Sequence, residues 1–215
     1  MVLLAAVSVR GALYTTVANY TFTGSSYAST DTDANSVAGS IALVGLTKSG
    51  ISTTVGNPLG SFKFDKNAIP ATEDTTAYIQ FTVTANGGFV LNLSGSALNF
   101  DSSSQNATVS GNWAVRSSVD AYAANLATGS TGTGMGWTGG NASPSGTSFD
   151  GLSAITFRIY AWNTANAQQS IPLYFDNFIL SGVNVVPEPV NVALGIFGVL
   201  LGGLALARYH AAKRR

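Results

Sequence analysis

Tyr78-Ile79-Gln80-Phe81-Thr82-Val83-Thr84 runs through Ala85 into Asn86-Gly87-Gly88 and then into Phe89, Leu91 and Leu93. Ile79, Phe81 and Val83 alternate with Gln80, Thr82 and Thr84, and a period of two puts the apolar set on one face of an extended chain. Asn and Gly reach positive φ cheaply, so the Asn-Gly-Gly break between two alternating runs predicts a β-hairpin. Residues 152–162 repeat the pattern. Ile155, Phe157 and Ile159 share one face, and Thr156, Arg158 and Tyr160 share the other.

Working outward, the same alternation predicts strands at 14–23, 39–46, 61–65, 107–116 and 171–181, separated by Gly, Asn, Asp, Ser or Pro. Only 119–127 hints at helix, too short for an alternating βαβ chain. The expected class is all-β: an antiparallel, jelly-roll-like β-sandwich, with Phe81, Phe89, Trp113, Phe157 and Phe175 in its core. Residues 128–148, rich in Gly, Ser, Thr and Asn around Met135 and Trp137, read as a long loop.

The chain has 215 residues and no formal net charge, but residues 13–186 hold five basic against nine acidic side chains, a net −4. A mildly acidic body without a basic stripe argues against nucleic acid. There is no cysteine, which removes disulfides, thiolate metal sites and cysteine nucleophiles. Residues 2–9 resemble the apolar core of a signal peptide without its basic start, so 1–12 are expected to be a leader remnant and 13–186 the exported domain.

Residues 190–207 carry no charge and one strongly polar side chain, Asn191. As a helix rising about 1.5 Å per residue they measure about 27 Å, enough for a single transmembrane span. Arg208, Lys213, Arg214 and Arg215 follow, and a Lys/Arg excess beside a span marks its cytoplasmic side. Before the span stand Pro187, Glu188 and Pro189, whose prolines forbid regular helix and leave an extended backbone. The series Val186-Pro187-Glu188-Pro189, apolar helix, basic end resembles the PEP-CTERM sorting signal of Gram-negative bacteria. That resemblance, confined to residues 187–215 and the residue before them, implies an exosortase as partner. It further implies a type I precursor held in the inner membrane, cleavage near the Pro-Glu-Pro motif, and delivery to the cell surface or an exopolysaccharide matrix. Two body segments, Trp113-Ala-Val-Arg116-Ser-Ser-Val-Asp120-Ala-Tyr122 and Thr156-Phe-Arg158-Ile-Tyr160 with Tyr174-Phe-Asp176-Asn177, resemble β-sandwich proteins that carry this tail in planctomycetes and verrucomicrobia.

Candidate chemistry in the body is sparse. The one histidine, His210, lies in the tail, so Ser-His-Asp and histidine–metal schemes have no partner in the body. Glycoside hydrolysis needs two facing carboxyls. Glu73 is the body's single Glu and reads as part of a solvated turn with Asp74. Asp31, Asp33 and Asn35 have the oxygen spacing that opens an EF-hand loop, yet Ser36 and Ala42 stand where its glycine and final Glu belong. No catalytic metal or cofactor is expected. A looser structural calcium at Asp31, Asp33 or Asp176 is the remaining metal reading, and Asp176-Asn177 itself predicts a bulge or a satisfied buried Asp. Arg116 and Asp120 read as an internal ion pair. Trp137, Trp162 and Tyr160 are candidates for stacking on sugar rings.

The expected function is a non-enzymatic envelope or matrix protein sorted through its tail. The alternatives are a carbohydrate-binding module acting on exopolysaccharide, a divergent polysaccharide-degrading enzyme, and a matrix subunit assembling through strand edges.

Overall fold

The computed structural model describes residues 13–47, 49–65, 71–163 and 171–186. The leader stretch 1–12, the Pro187-Glu188-Pro189 motif, the 190–207 span and the basic end at 208–215 lie outside the described residues. Among the described residues no helix is long and apolar enough to cross a membrane.

In chain order the strands are β1 (Thr15–Tyr20), β2 (Ser36–Ala38), β3 (Ala42–Val44), β4 (Gly50–Gly56), β5 (Leu59–Phe64), β6 (Tyr78–Ala85) and β7 (Val90–Asn92). They continue with β8 (Leu98–Ser104), β9 (Asn112–Ser117), β10 (Ala127–Ser130), β11 (Thr138–Ala142), β12 (Ala154–Trp162) and β13 (Leu173–Val185). Two antiparallel sheets result. A seven-stranded sheet runs β11-β8-β13-β5-β4, with β1 and β7 also paired to β13. A six-stranded sheet runs β10-β9-β12-β6-β2, with β3 also paired to β6.

Alternation becomes core directly. Phe81 pairs with Phe157 across β6 and β12, rings stacked at 5.6 Å, while Ile79 opposes Ile159 and Val83 opposes Ile155. All six are buried. The two sheets then meet through aromatic pairs: Tyr20 of β1 on Phe81 at 5.0 Å, and Phe100 of β8 edge-on to Trp113 of β9 at 4.9 Å. Burying each such ring stabilises by about 1.5–3 kcal/mol, so these contacts hold the layers together without disulfides.

Several expectations need correction. β6 and β7 do not form a hairpin: β6 is flanked by β12 on one side and by β2 and β3 on the other, so after the Asn86–Phe89 turn β7 crosses to β13. Phe89 is accordingly only half-buried, whereas Leu91 and Leu93 reach the core. Residues 119–127 form no α-helix; a 3-10 turn at Ser118–Asp120 ends in Ala121 and Tyr122, both at positive φ. The supposed long loop holds β10 and β11. Their glycines hid them, and the glycines have a packing cause: a Cβ on Gly129 would come within 2.3 Å of the Trp113 indole, and one on Gly140 within 2.4 Å of the Phe100 ring.

Candidate functional site

The outward phase of the six-stranded sheet is unusual for a solvent face because it is aromatic and cationic. Register fixes its rows. Trp162 lies beside Asn112, Tyr160 beside Ala114, and Arg158 between Gln80 and Arg116. Val44 of β3 stands opposite Tyr78. Tyr78 and Tyr160 meet edge to face at 5.4 Å and, with Ala114, make a small apolar cluster flanked by Val44 and Trp162.

Arg158 lies between two rings, with its guanidinium carbon 4.3 Å from the Tyr78 centroid and 3.5 Å from that of Tyr122. Its Nε donates to Gln80 Oε1 at 3.3 Å. Such cation–π contacts are worth about 0.5–2 kcal/mol each and keep the planar group flat. Tyr122 reaches this position because the chain turns left-handed at Ala121 and Tyr122. The turn is held by Tyr122 N donating to Ser117 O at 2.9 Å and Ala124 N to Asp120 Oδ2 at 2.9 Å.

Arg116, directly opposite Arg158, is fully engaged. Its Nη2 lies 2.9 Å from Glu73 Oε1, Nε donates to Asn125 Oδ1 at 2.7 Å, and Nη1 to Tyr122 O at 3.0 Å. The expected Arg116–Asp120 pair is therefore replaced by Arg116–Glu73, since Asp120 is turned toward Ala124. Glu73 is not a solvated turn residue: its side chain keeps 17% of its exposure. Neutralising one of two facing guanidinium groups removes the like-charge penalty that cross-strand partners would otherwise carry.

The three predicted stacking residues divide. Trp162 is half-buried on this face, packed against the Tyr78–Tyr160 cluster. Tyr160 is only 1% exposed, covered by Tyr78 and by the Arg116 guanidinium 5.3 Å from its centroid, so it supports the face and offers no free ring. Burial is the main cause that lifts its hydroxyl pKa, against the lowering effect of Arg158 and Arg116. Trp137 is on the other sheet, just before edge strand β11, and does not join Trp162. Tyr78, Gln80 and Tyr122 were missed. The signal for Tyr78 was an aromatic on the polar phase of β6, matching Tyr160 and Trp162 on the polar phase of β12.

The candidate calcium ligands do not converge. Asp31 accepts from Ser29 Oγ at 2.6 Å and from Asp33 N at 3.3 Å, while Asp33 accepts from Asn184 Nδ2 at 2.6 Å and from Ser36 Oγ. Asp176 is buried at the β13 bulge, as the break in alternation predicts, accepting from Asn57 N at 2.7 Å and Asn177 N at 2.8 Å. Its pKa is raised to about 6, mainly by burial; the two backbone donors oppose that shift and the Asp101 charge adds to it. Among the described residues no group of three or more His, Cys, Asp or Glu side chains is placed to hold a metal ion.

No family model and no curated protein matches this chain. Solved structures do. The CBM22-1 xylan-binding domain of Paenibacillus barcinonensis Xyn10C is 10% identical, with 81% of this chain and 98% of that chain covered and a TM-score of 0.48. The C-terminal family 22 carbohydrate binding module of Clostridium thermocellum Xyn10B is 14% identical, covering 80% and 95%, with a TM-score of 0.42. TmCBM61, solved with beta-1,4-galactotriose, is 10% identical, covering 65% and 85%, with a TM-score of 0.40. At these values the similarity assigns this chain no ligand.

Proposed function

We propose that residues 13–186 are a non-catalytic carbohydrate-binding domain whose ligand lies on the outer face of the six-stranded sheet. The observation that carries this is the face itself: Trp162 half-exposed four residues along β12 from an Arg158 flanked by Tyr78 and the half-exposed Tyr122, with Asn112 beside Trp162 and Gln80 beside Arg158 as polar partners. A sugar's apolar ring face packs on an aromatic ring while its hydroxyls need donors and acceptors at the edges, and this surface supplies both. Glu73 is tied to Arg116, which leaves a hydrolytic pair of carboxyls poorly supported here. Affinity electrophoresis of the full chain through a panel of soluble polysaccharides tests the proposal. Retardation that Trp162→Ala weakens is expected, and mobility unchanged by every polymer overturns it.

Delivery is the second element of the proposal. The order Pro187-Glu188-Pro189, apolar 190–207 and basic 208–215 supports sorting by an exosortase through the inner membrane to the envelope or exopolysaccharide matrix. Fractionation of cells with and without an exosortase tests it: loss of the C-terminal segment only in its presence is expected, and a stable full-length protein in both speaks against it.

A further inference from the structure

We infer that the carbohydrate recognised at this face is acidic, a polymer with uronic-acid units whose carboxylate is taken by Arg158. The inference rests on the carbohydrate reading above and names its substrate class. Arg116 and Arg158 are cross-strand partners on one face, but their surroundings differ. Arg116 has Glu73, Asn125 and the Tyr122 carbonyl. Arg158 has the Gln80 amide oxygen, the neighbouring Tyr160 hydroxyl and two ring faces; among the described residues no carboxylate pairs with it. Two acids of the flanking loops accept from their own turns: Asp74 Oδ1 from Thr76 N at 2.9 Å and Thr76 Oγ1 at 2.6 Å, and Asp120 Oδ2 from Ala124 N at 2.9 Å.

Among the described residues the face thus keeps a positive charge, Arg158, with no carboxylate paired to it, in a domain that is net negative. Rings on both sides leave the guanidinium its edge as the route of approach. An edge-on guanidinium matches a planar carboxylate through two parallel N–H···O bonds, a geometry that an ammonium group cannot copy. Trp162 stands four residues along the same strand face, about 13 Å away. A sugar chain lying along β12 spans that distance, stacking one unit on Trp162 while another presents its carboxylate to Arg158.

The test compares polygalacturonate with the same polymer after chemical reduction of its carboxyl groups, using the full-length protein in mild detergent and reading affinity by calorimetry. Reduction is expected to weaken binding about tenfold or more, as loss of a charge-assisted hydrogen-bonded pair does. Arg158→Gln is expected to bind native and reduced polymer equally, with Arg158→Lys intermediate, and the ligand-side comparison stands even where a variant folds poorly. Equal binding of the two polymers by the wild-type chain overturns the acidic specificity and leaves carbohydrate binding intact. Failure to bind any member of the polysaccharide panel overturns both.

Discussion

The two outer faces of this sandwich are built by the same alternation and end up chemically opposite. On the seven-stranded sheet, beside Tyr174 and the exposed Ile179, polar outward residues satisfy one another: Asn141 Nδ2 donates to Asn99 Oδ1 at 2.7 Å, Asn177 Nδ2 to Asp101 Oδ2 at 2.9 Å, and Lys63 pairs with Asp65 at 2.9 Å. On the six-stranded sheet they are large, flat and only partly satisfied, with Tyr78, Arg158, Tyr160 and Trp162 in neighbouring rows. A sheet that only has to stay wet needs nothing beyond short hydrogen-bonding side chains. Partly exposed rings such as those of Tyr122 and Trp162 gain when something covers them.

The largest expected break in this contrast concerns Asp176, a buried carboxyl of the seven-stranded sheet. Asp176 has a folded-state pKa of about 6, above its unfolded value near 4. Its stabilising contribution is therefore complete below about pH 4 and lost as pH rises through about 6. Stability should rise on going from pH 7 to pH 4, by about 2–3 kcal/mol from this group, and the difference should vanish in Asp176→Asn. A pH profile identical in both proteins would assign the slope elsewhere.

Next comes the internal pair of the aromatic sheet. Glu73→Gln leaves Arg116 facing Arg158 with no acid between them and should cost about 2 kcal/mol, less than a fully buried pair because about a fifth of each side chain stays exposed. Denaturant melts read this directly. Unchanged stability would mean that Asn125 and the Tyr122 carbonyl suffice to hold Arg116.

Smaller again is the contribution of the Trp162 ring. Trp162→Ala should weaken polysaccharide binding about tenfold, about 1.4 kcal/mol, with little loss of stability. Asn99→Ala on the opposite face is the matched control, expected to change binding not at all and stability by less than about 0.5 kcal/mol. If the two substitutions alter binding equally, the division of labour between the faces fails.

Much of this was legible in advance, and the illegible parts share a cause. β6 and β12 announce themselves because each buries one face, so period two survives in the sequence. β10 and β11 do not, since Gly129 and Gly140 must make room for Trp113 and Phe100, and the glycines that permit the packing read as loop. Leu98–Ser104 was missed for a related reason: Ser102 and Ser104 fill core positions with small side chains. Pairings are harder still. Asn86-Gly87-Gly88 marks a turn correctly, yet nothing in it says that β6 already has partners on both edges. Glu73 and Arg116 are 43 positions apart, and only the register of β9 against β12 brings that arginine to the face that Glu73 covers.

β13 is the common partner of β1, β5, β7 and β8, and one residue, Val186, separates its end from Pro187. During synthesis the seven-stranded sheet therefore stays open until nearly the last of the folded domain has been made, because four strands wait for one. A chain interrupted anywhere earlier exposes four unpaired edges and presents itself to proteases as incomplete. Completion of the fold and arrival of the Pro187-Glu188-Pro189 motif are thus nearly simultaneous in translation; under the sorting proposed above, the domain would be finished just as the motif emerges.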